Sequence, residues 1–157
     1  MTKNVLWMLS GMVLMGIIVW FTMPSLMLFE HKSPLNYEET VAALNDVIKK
    51  KENWKVPKNF DFQKNIQDSG HGPIDRVGTV AICNPLYASR ILEDDKNRKV
   101  TAFMPLGIGV YKGKDDQVYI SELNVGLLGM MFGGTIADVM ADAGKDVKDI
   151  INAVTAR

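Results

Sequence analysis

Three side chains in this sequence could bind a soft metal ion or a haem: His71, Cys83 and Met104. Thiol, thioether and imidazole groups suit copper or haem iron. Cys83 is the single cysteine, which excludes an internal disulfide. It precedes Asn84 and Pro85, a typical helix start whose free N–H groups favour a thiolate. We therefore predict cofactor binding by His71, Cys83 and Met104, with His71 and Cys83 as metal ligands and haem or copper as the cofactor.

Each of these residues also has an ordinary structural explanation. A lone cysteine is often a small buried residue, a loop histidine is often solvated, and Met104 fits a core position. The sequence has no Cys-x-x-Cys-His haem motif, zinc pattern or phosphate loop, and Glu93, Asp94 and Asp95 indicate a solvated loop. We accordingly favour a non-enzymatic role without excluding an enzyme.

Three functions therefore compete. The first is a membrane-anchored extracytoplasmic module that binds haem, copper or another small ligand. The second is a non-catalytic dimeric scaffold or accessory subunit of a membrane complex. The third is a thiol-dependent redox protein that uses Cys83.

The stretch Val5 to Phe29 contains no charged residue and determines where the protein sits. A helix rises about 1.5 Å per residue, so this run can cross a bilayer core of about 30 Å. It exceeds the apolar region of a signal peptide, and no small-residue cleavage site follows it. Lys3 and the amino terminus place the short tail inside the cell by the positive-inside rule. The prediction is a single-pass protein of the inner (cytoplasmic) membrane with its domain outside the cytoplasm.

This prediction divides the chain into four parts. They are a cytoplasmic tail (residues 1–4), a transmembrane anchor helix (5–29), a linker (30–35) and a soluble α/β domain (36–157).

Helices and strands alternate in that domain. Asn36 and Glu39 form a capping-box pattern before an amphipathic helix, and a long apolar stripe from Ile136 to Val154 predicts a C-terminal helix, capped by Thr135. The other expected elements are a short strand at Trp54–Val56 stopped by Pro57, a helix at Asn59–Asp68 with Phe62 and Ile66 inward, a buried strand at Val77–Cys83, a helix at Leu86–Leu92, and a hairpin of strands Val100–Tyr111 and Gln117–Leu123.

Two glycine-containing stretches need an explanation. Gly107 and Gly109 share one face of a predicted strand, so either a helix or a ligand is expected to approach them closely. The stretch Val125 to Gly134 is apolar and too short to span a membrane. It could be a buried connector, a loop that dips into the bilayer surface, or a subunit contact, and we favour the connector.

The order of these motifs resembles the family called domain of unknown function 302. The residues that carry the likeness are Tyr37-Glu38-Glu39-Thr40, Ala81-Ile82-Cys83-Asn84-Pro85, Phe103-Met104-Pro105, Gly109-Val110-Tyr111 and Tyr119-Ile120-Ser121-Glu122-Leu123-Asn124. The likeness covers Asn36 to Val154. It implies a small α+β fold, two layers with a mainly antiparallel sheet packed by helices, that tends to form dimers. It implies no reaction, and the membrane helix is an addition.

Partners follow from charge and surface. A formal net charge of zero argues against nucleic acid, which binds clustered Lys and Arg. Membrane lipid is the first expected partner. A homo-oligomer follows from the apolar Val125 to Phe132 surface, and partners within a membrane complex are an alternative.

Overall fold

The computed structural model describes residues 2–157 and has an α+β fold; Met1, which begins the predicted tail, lies outside the described residues. The elements are α1 (Thr2–Met27), β1 (Leu28–Lys32), α2 (Tyr37–Lys50), β2 (Lys55–Asp61), α3 (Phe62–Asp68), β3 (Val77–Cys83), α4 (Pro85–Leu92), a 3₁₀ segment (Asp95–Phe103), β4 (Leu106–Lys112), β5 (Val118–Leu123), α5 (Val125–Met130) and α6 (Gly134–Thr155).

Helix α1 is long and apolar enough to cross a membrane between Trp7 and Met27, judged by its length and composition. It ends at Met27 and not at Phe29 as predicted. Leu28 already belongs to β1 and pairs with Leu123, so half of the predicted linker 30–35 is strand. The reason is that β1 supplies hydrogen bonds to an edge of β5 that would otherwise be unpaired.

The five strands form one antiparallel sheet in the order β1-β5-β4-β3-β2. The register brings five strand ends together where α1 enters the sheet. We call this the anchor end; its residues are Leu28, Lys55, Cys83, Leu106 and Leu123. The turn between β4 and β5 lies at the opposite end, which we call the hairpin end.

The helices cover one face of this sheet, as the alternation of buried residues requires. Ile108, Val110 and Ile120 are buried among them on that face. Helix α6 buries its whole predicted stripe, Ile136, Val139, Met140, Ala143, Val147, Ile150, Ile151 and Val154. The predicted capping box at Asn36 and Glu39 is present at the start of α2. These observations confirm the expected two-layer arrangement.

Three predicted elements are wrong. Residues 100–103 were predicted to begin the strand Val100–Tyr111, but they end the 3₁₀ segment, because Asp94 caps that segment and Asn97 and Val100 are buried there. Strand β2 runs through Pro57 to Asp61, because an edge strand tolerates a residue that donates no hydrogen bond, and its register shifts at that point.

The third wrong element is the predicted helix Asn59–Asp68. Helix α3 begins only at Phe62, because β2 continues to Asp61, and Phe62 is exposed and not inward. At the other end of the chain, α6 is preceded by Gly133 at φ 69°, without a side-chain cap, so Thr135 is not its cap.

The glycines of β4 are explained by side chains on the neighbouring strands. A Cβ on Gly107 would lie 2.9 Å from Thr79 Cγ2, and one on Gly109 would meet the Ser121 hydroxyl. Both neighbours stand on strands that flank β4.

The stretch Val125 to Gly134 divides into two parts. Its first part is α5, whose Val125, Leu128 and Gly129 are buried against α6, as the connector prediction requires. Its second part, from the last residue of α5 onward, is surface, since Met130 is 72% and Met131 67% exposed.

Gly129 sets the distance between α5 and α6. A Cβ at this position would lie 2.6 Å from Met140 Cβ, an atom that cannot move away without its helix. We expect Gly129→Ala to lower the free energy of unfolding by about 1–3 kcal/mol. Gly126→Ala is the control on the same helix, since its Cβ would meet only Asn124 Oδ1 at 3.9 Å. The control should be neutral or stabilising. Urea denaturation in mild detergent measures the free energy of unfolding of both variants. Equal values for the two would contradict the close approach of α5 and α6 at Gly129.

Candidate functional site

A cavity of about 60 Å³ lies at the anchor end of the sheet, between the strand ends and the helices. We call it the apolar cavity, because its wall is almost entirely carbon. Its wall comprises Trp54, Ile82, Cys83, Asn84, Tyr87, Ala88, Ile91, Val100, Phe103, Met104, Pro105, Leu106, Val125, Phe132, Val139, Met140 and Ala143. Apolar walls make burial of an apolar group favourable, since such surface leaves water.

Two of the predicted site residues, Cys83 and Met104, line this cavity. Cys83 lines the cavity because β3 ends there. The next residue, Asn84, begins α4 by accepting hydrogen bonds from the backbone N–H groups of Leu86 (3.0 Å) and Tyr87 (3.3 Å). Burial raises the pKa of the Cys83 thiol. Burial thus favours the neutral thiol, opposite to the thiolate predicted from the helix start.

The third predicted residue, His71, does not line the cavity. His71 is exposed, and its backbone N–H donates to the Ile66 carbonyl at 3.1 Å. Its loop joins β3 at the hairpin end, where the Lys112 N–H donates to the Arg76 carbonyl. Cys83 lies at the other end of β3, a strand of seven residues that spans about 20 Å. The structure thus brings Cys83 and Met104 to one cavity and leaves His71 elsewhere.

The fold does not bring the predicted metal ligands His71 and Cys83 together. Within residues 2–157, no group of three or more His, Cys, Asp or Glu side chains could hold a metal ion. The cavity is also less than half of the about 150 Å³ that accepts benzene in an engineered apolar site, far too small for a tetrapyrrole.

A polar network that the sequence analysis missed borders the apolar cavity. Asp146 accepts hydrogen bonds from Trp54 Nε1 and from the Tyr87 hydroxyl, both at 3.0 Å, and forms an ion pair with Lys51 at 3.0 Å. Burial alone would raise the pKa of Asp146, but the hydrogen bonds from Trp54, Lys51 and Tyr87 outweigh it, so the pKa lies below its ordinary value. The network fixes Trp54 and Tyr87, whose rings meet edge to face at 6.1 Å in the cavity wall.

A second cavity of about 140 Å³ adjoins the first and shares Ile82, Phe103, Pro105, Leu106 and Val125 with it. Its wall includes Glu122, a carboxylate that is only 8% exposed. Glu122 Oε1 lies 3.0 Å from His31 Nε2. One end of the combined space is therefore polar, and the rest is apolar.

Exposed apolar side chains lie in the segments that carry the lining residues of the apolar cavity. We call them the collar: Leu86, Phe103, Met130, Met131 and Phe132, all of them exposed. The rings of Phe103 and Phe132 are 6.0 Å apart and both also line the cavity. The collar and the end of α1 thus lie at the same end of the sheet.

Comparison with known proteins gives a family and a fold. The family model described as domain of unknown function DUF302 matches residues 29–154. Among solved structures, the chain is similar to the uncharacterized conserved protein DUF302 from Bacillus stearothermophilus at 22% sequence identity and a TM-score of 0.72. The likeness covers 82% of this chain and 98% of that one, and at this identity it shows the fold alone. No curated protein matches the chain.

Proposed function

Because the chain belongs to the DUF302 family, whose function is not established, we propose its role from its own geometry: a membrane-anchored binding module in which the apolar cavity and the second cavity that adjoins it together hold a slender aliphatic group. The observation that carries the proposal is the apolar cavity itself, lined by carbon atoms and placed beside the end of α1. Protein interiors are close-packed, with few voids larger than a water molecule, so a cavity of this size supports the proposal that a ligand occupies it.

The anchor defines where this module works. Helix α1 meets the length and composition of a membrane span. Lys3 on the flank of α1 favours a domain outside the cytoplasm of the inner membrane by the positive-inside rule. The lone Cys83 thiol, with its raised pKa, is better suited to lining the cavity than to thiol chemistry.

A non-catalytic dimeric scaffold is the second candidate. The observation that favours it is the collar, whose Met130 and Met131 are exposed although both are large and apolar. A patch of this kind on a monomer often marks an interface.

The ligand proposal can be tested through Cys83, because the chain has one cysteine and that residue lines the cavity. The full chain in nanodiscs is treated with iodoacetamide in alkaline buffer, with or without butanol, hexanol or octanol, and alkylation is followed by intact mass. We expect the alcohols to slow alkylation several-fold, at lower concentration for the longer chains. Equal rates with and without every alcohol would refute a ligand in this cavity.

A matched pair of variants localises the effect. Ala88 lines the cavity on α4, whereas Ala42 is exposed on α2 and does not line it. Ala88→Leu should remove the protection by alcohols because the larger side chain fills the space, and Ala42→Leu should retain it. The readout is the ratio of rates with and without alcohol, so any direct shielding of Cys83 by the introduced leucine cancels.

A further inference from the structure

We propose that the collar lies in the surface of the lipid bilayer beside α1, so that the mouth of the apolar cavity faces lipid. This inference rests on the membrane anchoring proposed above and adds to it a second contact between the chain and the bilayer.

The first step is that no spacer separates the span from the sheet. The candidate span ends at Met27, and the next residue, Leu28, is already paired with Leu123 in the sheet. A domain attached in this way has its anchor end at the level of the lipid headgroups. The strand ends that frame the apolar cavity are therefore held at that level too.

The second step is that α5 is fixed to the end of α1. The Asn124 N–H donates to the Met27 carbonyl at 2.7 Å, and Asn124 Nδ2 donates to the Leu26 carbonyl at 2.9 Å. The same side chain caps α5 by accepting from the Leu127 N–H at 3.0 Å. Six helical residues then span about 9 Å, so Met130 lies within a short distance of the membrane span.

The third step is the chemistry of the surface. The stretch Val125 to Gly134 carries no charge, and Met130, Met131 and Phe132 are exposed at its end. Phe103 extends the same surface from the 3₁₀ segment through its contact with Phe132. Apolar side chains of this kind bury in the boundary between headgroups and acyl chains. Lipid is the occupant we choose, because the anchor presents it to the collar at very high effective concentration.

The test places a nitroxide on the full chain in nanodiscs of phosphatidylcholine and phosphatidylglycerol. Cys83 is first replaced by Ala, and Met131→Cys or Lys114→Cys then carries the label. Met131 belongs to the collar, and Lys114 lies in the turn at the hairpin end. We expect the Met131 label to collide several-fold more with oxygen than with a water-soluble nickel chelate, relative to the Lys114 label.

Two outcomes would overturn the inference, and a control label reports on the anchor. A Met131 label as accessible to nickel as the Lys114 label overturns the inference. Low collision with both reagents, together with broadening between two labels, would place the collar against a second copy and overturn it as well. A label at Leu14→Cys reports on the anchor itself, so a failure of membrane insertion is distinguished from a failure of the collar contact.

Discussion

Asp146→Ala should lower the free energy of unfolding by about 3 kcal/mol, measured by urea denaturation of the full chain in mild detergent. Trp54 is only 3% exposed, and its indole N–H has Asp146 as its hydrogen-bond partner. Loss of this acceptor leaves a buried donor unsatisfied, which costs about 1–3 kcal/mol, and a hydrogen bond to a charged group is worth about 1.5–3 kcal/mol. The Tyr87 hydroxyl and Lys51 lose their bonds to Asp146 in the same variant.

The neighbouring Asp149 supplies the control. It also pairs with Lys51, at 3.1 Å, but its side chain is 68% exposed, so Asp149→Ala should cost under about 1 kcal/mol. If the two variants were equally stable, Asp146 would be an ordinary surface acid and the network would not hold the cavity wall.

The contribution of Asp146 also depends on pH. Its folded pKa lies below the unfolded value of about 3.9, so its stabilisation is fully present above that value. It is lost as the pH falls through the folded pKa. The difference in stability between the native chain and the variant should therefore be constant near neutral pH and shrink in acid below about pH 4.

The second large effect concerns the anchor. Replacing Val13 and Ile17 together by lysine should release the chain from membranes, since each charge near the centre of a span costs about 2.5–3.5 kcal/mol. Fractionation after an alkaline carbonate wash measures it. The native chain and the Val13→Leu, Ile17→Leu control should stay in the pellet. A native chain found in the supernatant would show that α1 does not anchor the protein.

Local patterns in the sequence were sufficient for most helices and for strand β3. The capping box at Asn36 and Glu39 and the stripe of α6 depend on residues three or four positions apart, and both are confirmed. The 3₁₀ segment was not predicted, because Val100 and the following Thr101 favour strand by propensity. In the structure, burial of Val100 in the cavity wall decides the conformation of this segment instead.

Only part of the candidate site could be predicted from local patterns in the sequence. Cys83 and Met104 were found because a strand end and a Pro-containing segment are local signals. The Asp146 network was not, since its partners Trp54 and Tyr87 are 92 and 59 positions away in the chain. Glu122 could have been found, because it alternates with Val118 and Ile120 and must therefore share their buried face.

The pairing of β1 with β5 has a consequence for how the protein is made. Synthesis proceeds from the amino terminus, so β1 leaves the ribosome directly behind the span and long before its partner. The hydrogen bond from Asn124 to Leu26 joins residues 98 positions apart. Contacts so distant in sequence form slowly, since loop closure precedes the gain from pairing. The pairing of β1 therefore waits until β5 has been made, and a chain interrupted before Val118 leaves β1 without this partner at the membrane surface.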